Sequence, residues 1–255
     1  MNLLLDCGNT RLKWALTADR SSDNAPSQIV RRGACDYAPK ALAEWSASIA
    51  DPTLQALYFA SVVSSEREQE IFTRLPLRGL MPQRFNVSAR CGSLINGYAS
   101  PQTLGVDRWA AAIGAWNLVG EACLVVSTGT ATTIDLIDAT PKGGRYRGGL
   151  ILPGIDLMLE SLHQRTARLP HAEGCYRPVP DVADNTNDAI LCGAIEATCG
   201  AIERMGRRLA EGVPWLLTGG RAPTLQKALA GRLRVVDDLV LEGLAIAYSL
   251  GQDSK

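Results

Sequence analysis

The chain has 255 residues, of which 46% are hydrophobic, and its 26 basic residues balance its 26 acidic residues. This length and apolar content predict a globular protein with one large domain or two of moderate size, and the balanced charge argues against nucleic acid or an anionic membrane as a partner. The seven cysteines form no Cys-x-x-Cys pair and only two histidines are present, which predicts reduced thiols and argues against a structural zinc site. No signal-peptide pattern and no apolar run of about 18 residues occurs, so we expect a cytoplasmic protein.

The hydrophobic pattern predicts the same order of elements in each half of the chain. In the first half we predict strands at 3–7, 11–17 and 27–33, a helix at 38–50, a strand at 55–61, a helix at 65–75, a strand at 83–87, a long loop and a helix at 105–118. In the second half we predict strands at 122–127, 131–138 and 144–152, helices at 155–164 and 186–210, a strand at 214–218, a helix at 222–230, a strand at 233–236 and a helix at 239–250. Three hairpin-linked strands followed by alternating strands and helices indicate a mixed sheet with helices on both faces.

The two halves also match residue by residue where they begin. When LLLDCGNTRLKWAL is moved by 121 positions it lies on LVVSTGTATTIDLI, with Leu3 on Leu124, Gly8 on Gly129 and Leu16 on Ile137. Each segment is an apolar strand, a glycine-centred turn and a second strand. We therefore predict two duplicated α/β domains, at 1–119 and 120–255, with mixed five-stranded sheets flanked by helices and a cleft between the domains.

The two turns have the composition of anion-binding loops, because glycine lets backbone N–H groups converge on an anion and nearby hydroxyl and amide groups add donors. These turn residues are Gly8, Asn9 and Thr10 in the first hairpin, and Gly129, Thr130 and Thr132 in the second. Two such turns facing a shared cleft suit a polyphosphate, and Asp6 would then hold Mg²⁺ through water. Gly-Asn-Thr is equally an ordinary hairpin turn, and an Asp at a strand end often bonds its own turn, so both interpretations stay open. The dinucleotide-fold and P-loop fingerprints are absent from the sequence.

A third feature is the stretch YASPQTLGVDRWAAAIGAW at 98–116, where a proline-containing loop leads into an alanine-rich helix. Asp107 and Arg108 occupy the first turn of this helix, where the helix dipole favours an acid, so a simple N-terminal charge is one interpretation. In the other, Asp107 accepts the proton of a substrate hydroxyl that attacks a phosphoryl group, and Arg108 pairs with a substrate carboxylate. Farther along, the simplest interpretation of Thr186 is the N-cap of a long helix.

Together these motifs resemble the type III pantothenate kinases. The matching segments are Asp6 to Thr10, Leu104 to Arg108, Gly129 to Asp135, Gly148 and Gly149 with Pro153 and Gly154, and Thr218 to Gly220. They follow the family order from residue 3 to about 250. The resemblance implies the fold of the acetate and sugar kinase and actin superfamily, with two ribonuclease H-like halves. It also implies a homodimer that uses ATP to phosphorylate the 4′-hydroxyl of pantothenate, the first committed step toward coenzyme A.

The resemblance further implies roles for single residues. The residues that would bind ATP are Asp6, Cys7, Gly8, Asn9, Thr10, Arg11, Leu12, Lys13 and Thr130. The residues that would contact pantothenate are Tyr98, Gly105, Val106, Asp107, Arg108 and Thr186, with Asp107 also the general base. One position departs from the family pattern, because Ser127 stands where members usually carry an acid that helps bind a monovalent cation. A hydroxyl is a weaker cation ligand than a carboxylate, so a requirement for K⁺ or NH₄⁺ stays open.

Two other functions are compatible with the same fold. Family members have also been described as Bvg accessory factors, so one alternative is a non-catalytic ATP-binding regulator that uses nucleotide to switch cleft closure. Such a switch has no need for a proton acceptor at Asp107. The second alternative is a phosphatase or polyphosphate hydrolase that uses an acid to orient water. That function leaves Arg108 and the loop around Tyr98 without a purpose.

Overall fold

A computed structural model describes residues 1–18, 28–75, 79–178 and 181–252. Residue 27, the first of the predicted strand at 27–33, lies outside these ranges. The chain packs as two compact units. Unit 1 takes the described residues of Met1–Gly120, Thr140–Tyr146 and Asp238–Lys255, and unit 2 takes those of Glu121–Ala139 and Arg147–Asp237.

The elements follow the predicted order closely. The strands are β1 (Asn2–Cys7), β2 (Leu12–Thr17), β3 (Ile29–Cys35), β4 (Ala56–Ser61), β5 (Pro82–Arg84), β6 (Arg90–Cys91), β7 (Leu94–Asn96), β8 (Cys123–Thr128), β9 (Ala131–Thr140), β10 (Gly143–Pro153), β11 (Trp215–Gly219) and β12 (Arg234–Val235). The α-helices are α1 (Pro39–Ser48), α2 (Ser65–Arg74), α3 (Val106–Val119), α4 (Ile155–Arg165), α5 (Thr186–Gly206), α6 (Ala222–Ala228) and α7 (Leu239–Gln252). None of these helices is both long and apolar enough to cross a membrane.

Unit 1 is built on a five-stranded sheet of order β3-β2-β1-β4-β5. Strand β1 pairs antiparallel with β2 and parallel with β4, as the predicted mixed sheet requires. Alternate residues of β1, such as Leu3 and Leu5, pack into a core with Trp45 of α1 and Ile71 of α2. Successive strand residues point to opposite faces, so Asp6 lies on the face away from this core.

Helix α7 covers that second face of the unit 1 sheet, and α3 packs against α7. The Tyr248 hydroxyl of α7 lies 3.5 Å from Oδ1 of Asn2, which shares its face with Asp6. The two helices cross closely at Gly243, where an added Cβ would lie 1.8 Å from the carbonyl oxygen of Ala110. Only a residue without a Cβ fits this crossing. The crossing therefore fixes α3, and with it Asp107, against α7 within unit 1.

The second sheet has the order β12-β11-β8-β9-β10-β7-β6. In unit 2, Leu124 and Val126 of β8 pack into a core with Ile155 of α4 and Ile195 of α5. Strand β8 pairs antiparallel with β9 and parallel with β11, so β10-β9-β8-β11-β12 repeats the order of the first sheet. The internal repeat predicted from the sequence is thus present as a repeated strand order.

Two details of the prediction need correction. The second sheet has seven strands instead of five, because β6 and β7 form within the predicted long loop before α3. They are two and three residues long, too short to give an alternating hydrophobic pattern.

The second correction concerns the register of the hairpins. Leu3 pairs with Leu16 and Leu124 pairs with Leu136, so Leu16 corresponds to Leu136 and not to Ile137. The innermost pair is Cys7 with Leu12 in the first hairpin and Thr128 with Thr132 in the second. The second connection is therefore one residue shorter, and a one-residue change of register moves a side chain to the other face.

The predicted domain ranges, 1–119 and 120–255, describe two copies of a module and stay a prediction. The packing assigns chain segments differently at two places, because the described parts of Thr140–Tyr146 and Asp238–Lys255 belong to unit 1. The first segment pairs with β7, and the second contains α7. Both are held by packing with residues far away in the chain, which the sequence pattern does not reveal.

Candidate active site

Asp6 stands near the end of the central strand β1, with 8% of its surface exposed. Its register partner on β2 is Lys13, whose side chain shares the same face of the sheet. The pKa of Asp6 is raised to about 7, mainly by burial; the charge of Lys13 opposes this rise, and the carboxylates of Asp238 and Asp107 contribute to it. Asp6 is therefore a carboxyl group whose ionised form is poorly stabilised by the protein alone. A bound cation would stabilise that form.

Lys13 contacts a second acid, Asp238, which the sequence analysis did not single out. Lys13 Nζ lies 3.4 Å from Asp238 Oδ1 in a partly buried ion pair. Asp238 has a positive φ of 50° and directly precedes α7, and its carbonyl accepts a hydrogen bond from Glu242 N at 3.2 Å. An Asp just before an apolar helical run is a helix-start signal, so the sequence held a clue to its position but none to its contact with Lys13.

The first turn presents its polar residues to solvent while its neighbours are buried. Asn9, Thr10 and Arg11 are exposed, and the Tyr37 hydroxyl donates a 2.6 Å hydrogen bond to the Gly8 carbonyl. Arg11 Nε lies 3.1 Å from Oδ1 of Asp36, forming an exposed ion pair.

Cys7 and Leu12, two other residues predicted to bind ATP, have side chains that lie in the core of unit 1. Burial also raises the pKa of the Cys7 thiol well above its usual range. These two residues can offer a ligand only backbone groups.

Asp107 and Arg108 begin α3 as predicted, and a loop residue holds Arg108. Asp107 Oδ1 accepts a 2.8 Å hydrogen bond from the Arg108 backbone N–H. Arg108 is buried, its Nη1 donates to the Tyr98 hydroxyl at 3.0 Å, and its guanidinium lies 5.9 Å from the centre of the Tyr98 ring. The charge of Asp107 is a small cause of the raised pKa of Asp6, and both acids singled out from the sequence belong to unit 1.

The second turn lies in unit 2. Gly129 N donates to Ala131 O at 3.0 Å, and the carbonyl of the exposed Thr130 accepts from Gly154 N at 2.9 Å. Ser127 is half-buried on β8 and sits at the position equivalent to Asp6. Within the described residues, the buried hydroxyl of Thr218 on β11 has no hydrogen-bond partner.

Thr186 is not the N-cap of α5, because Asn185 has that role. Asn185 Oδ1 accepts a 3.0 Å hydrogen bond from Asp188 N. Hydrogen bonds from Cys175 N and from Asn185 and Arg177 lower the pKa of Asp188. Thr186 is the first residue of the helix and lines a cavity of about 600 Å³, together with apolar residues of α4 and α5 such as Leu162 and Ile190.

Sequence comparisons show which protein family the chain resembles. The profile of the family described as type III pantothenate kinase matches residues 2–208. A protein from Aromatoleum aromaticum named type III pantothenate kinase is 43% identical over 249 residues, covering 96% of this chain and 97% of its own. A protein of the same name from an Azoarcus species is 40% identical, covering 96% of this chain and 90% of its own.

Two solved structures of similar fold have far lower sequence identity to this chain. A Campylobacter jejuni protein described as a Baf family transcriptional activator has a TM-score of 0.57 at 18% identity, covering 99% of this chain and 98% of its own. The activator of 2-hydroxyisocaproyl-CoA dehydratase from Clostridium difficile, solved with bound ADPNP, has a TM-score of 0.53 at 11% identity, covering 99% and 95%. At these identities the likeness concerns the fold alone, and it agrees with the predicted actin-like architecture.

Proposed function

The chain belongs to the type III pantothenate kinase family, and on that premise we propose that it transfers the γ-phosphoryl group of ATP to the 4′-hydroxyl of pantothenate, with Asp107 as general base. One observation carries the assignment of roles. Asp6 and Asp107 lie in the same unit, the charge of Asp107 raises the pKa of Asp6, and the register partner of Asp6 is the cation Lys13. This supports a division of roles in which Asp6 serves the nucleotide and Asp107 accepts the proton.

In this proposal the first hairpin binds the ATP phosphates. The exposed residues Asn9, Thr10 and Arg11 offer side-chain donors, and the backbone N–H groups of the turn add more. Carboxylate oxygens are suitable ligands for Mg²⁺, which keeps part of its water shell, so the Asp6 carboxylate fits this ion. When bound, Mg²⁺ neutralises charge on the phosphates. Lys13 is held by Asp238 at 3.4 Å and can exchange this partner for a phosphate oxygen.

Asp107 would act on the acceptor alcohol. As the 4′-oxygen of pantothenate forms its bond to the γ-phosphorus, the bond from phosphorus to the β,γ-bridging oxygen breaks and leaves ADP. The hydroxyl proton passes to the Asp107 carboxylate, which is half-buried on the first turn of α3. Arg108 would pair with the carboxylate at the other end of pantothenate, because its planar guanidinium matches a carboxylate. As the family resemblance implies, Tyr98 and Thr186 would contact pantothenate and Thr130 would bind ATP.

The test is ADP formation in the presence and absence of pantothenate, with the phosphorylated product identified by mass spectrometry. We expect wild-type ADP formation to require pantothenate and Asp107→Asn to lower it at least about a hundredfold, the lower end for a lost general base. Glu66→Gln is a matched control, because Glu66 is an acid in the first turn of α2. It should leave the rate unchanged. ADP formation at the same rate without pantothenate would show that pantothenate is not the acceptor. Equal rates in wild type and Asp107→Asn would show that Asp107 is not the general base.

We also propose that the enzyme is a cytoplasmic homodimer, as the family resemblance implies. Its use of K⁺ or NH₄⁺ depends on Ser127, which would be a weak ligand for such an ion. The alternative function is a non-catalytic regulator. It is tested because the Campylobacter jejuni protein of similar fold is described as a transcriptional activator. A regulator would bind ATP without pantothenate-dependent turnover, so the same assay separates the two functions.

A further inference from the structure

Tyr146 is a fully buried aromatic residue near the start of β10, and its ring contacts two other aromatic rings of unit 1. The Tyr98 ring lies 5.7 Å from it, centre to centre, at an angle of 42°. The Trp109 ring lies 6.1 Å from it, edge to face at 80°. Tyr98 belongs to the loop that contacts Arg108, and Trp109 directly follows Arg108 on α3. Tyr146 therefore packs against the residue that Arg108 bonds and against the residue that follows Arg108 in the chain.

The backbone around Tyr146 is fixed as firmly as its ring. Its carbonyl accepts a 2.9 Å hydrogen bond from Gly97 N. An added Cβ at Gly97 would lie 2.3 Å from this carbonyl oxygen, so only glycine allows the approach. The register partner of Tyr146 on β7 is Asn96, whose Oδ1 accepts a 3.0 Å hydrogen bond from Tyr98 N. Strand β10 thus positions both the backbone and the ring of Tyr98.

Tyr98 in turn positions Arg108. The Tyr98 hydroxyl accepts a hydrogen bond from Arg108 Nη1 at 3.0 Å. Because an arginine side chain has many rotamers, a buried guanidinium keeps one direction only where packing and hydrogen bonds restrict it. The series from Tyr146 through Tyr98 to Arg108 supplies both restrictions, with the Tyr146 ring at its buried end.

We propose that Tyr146 is a positioning residue that orients Arg108 toward the carboxylate of the acceptor substrate. This inference rests on the proposed function, in which Arg108 pairs with the pantothenate carboxylate. Tyr146 makes no contact with substrate in this scheme and acts through Tyr98. Its effect should therefore fall on discrimination between substrates with and without a carboxylate, and not on the use of ATP.

The test compares two acceptors that share the same reactive hydroxyl. Pantothenate carries the carboxylate, and pantothenyl alcohol carries a hydroxymethyl group in its place. The measured quantity is the ratio of kcat/KM for pantothenate to kcat/KM for pantothenyl alcohol. We expect Tyr146→Leu to lower this ratio about tenfold, in line with a weakened charge-assisted hydrogen bond. The KM for ATP should be unchanged in this variant, because the change acts on the acceptor substrate alone.

A merely structural role for Tyr146 predicts a different result, in which both acceptors lose the same factor and the ratio stays constant. Tyr98→Phe gives an independent check. It should lower the ratio by itself, and adding Tyr146→Leu should then lower it little further, because both changes act through one contact. If Tyr146→Leu fails to fold in thermal melts, Tyr146→Met fills more of the space and takes its place. An unchanged ratio in the folded variant contradicts the positioning role, whereas a wild-type protein without pantothenate turnover contradicts the proposed function itself.

Discussion

Replacing Asp6 by Asn is expected to stabilise the protein while abolishing its activity. Burial raises the pKa of Asp6 from its ordinary value of 3.8 to about 7, so the folded protein holds this proton more tightly than the unfolded chain does. A carboxyl group with a raised pKa lowers stability as the pH rises through the window between the two values. Stability is thus lost between about pH 4 and pH 7 and stays low above it. Asn has nearly the same shape and no such charge.

The size of the effect follows from the two pKa values. The ionised Asp6 lowers the unfolding free energy by roughly 1.4 kcal/mol for each pH unit between 3.8 and about 7, which amounts to about 4 kcal/mol at pH 8. At pH 5 the folded protein keeps Asp6 mostly protonated, and the loss of unfolding free energy is only about 1–2 kcal/mol. Asp6→Asn should therefore gain more stability over wild type at pH 8 than at pH 5.

Urea unfolding of wild type and Asp6→Asn at the two pH values, without Mg²⁺ or nucleotide, measures this difference. Asp188→Asn is the matched control of opposite sign. Hydrogen bonds from Cys175, Asn185 and Arg177 lower the pKa of Asp188, so its ionised form stabilises the protein above about pH 4 and this control should be less stable at pH 8. If Asp6→Asn is less stable than wild type at pH 8, or its gain does not depend on pH, the carboxyl is well stabilised in the free protein and the reasoning is wrong.

Three further predictions concern the packing and charges of the site. Gly243→Ala would place a methyl group 1.8 Å from the Ala110 carbonyl oxygen and should lower the unfolding free energy by about 1–3 kcal/mol. Gly200→Ala on α5 is the control, because an added Cβ there has no atom within 4 Å, and it should not lower the unfolding free energy. Equal urea midpoints for the two variants would contradict the close crossing of α3 and α7. Lys13→Met removes the cation that lowers the pKa of Asp6, so the pH-dependent loss of stability should extend to higher pH. If the unfolding free energy depends on pH as it does in wild type, Lys13 does not act on Asp6. Ser127→Asp should increase the response of ADP formation to K⁺ at constant ionic strength, and an unchanged response would mean that the cation binds elsewhere.

The features that the sequence revealed are those carried by local pattern. The strand, turn and strand around Gly8 and around Gly129 can be recognised from neighbouring residues, and so can Asp107 on the first turn of an alanine-rich helix. The repetition at a spacing of 121 residues made the repeated strand order predictable, although the second connection is one residue shorter.

The features that the sequence did not reveal depend on contacts between distant segments. Asp238 meets Lys13 across 225 positions of sequence, and Tyr146 meets Tyr98 only because β10 pairs with the three-residue strand β7. The cap of α5 was assigned one residue too late, to Thr186, because Asn185 and Thr186 are both good capping residues and only the hydrogen bond to Asp188 distinguishes them. The roles of the individual site residues stay predictions that the variants above test.

The most direct test of the central claim, that Asp6 serves the nucleotide and Asp107 serves the proton of the acceptor, is calorimetric titration of Mg²⁺ and ATP into the two single variants. We expect Asp107→Asn to bind ATP with wild-type affinity in the presence of Mg²⁺ and yet to phosphorylate pantothenate at least about a hundredfold more slowly, while Asp6→Asn loses the dependence of ATP binding on Mg²⁺. A variant at Asp107 that binds ATP poorly, together with a variant at Asp6 that keeps its metal dependence, would contradict this division of roles.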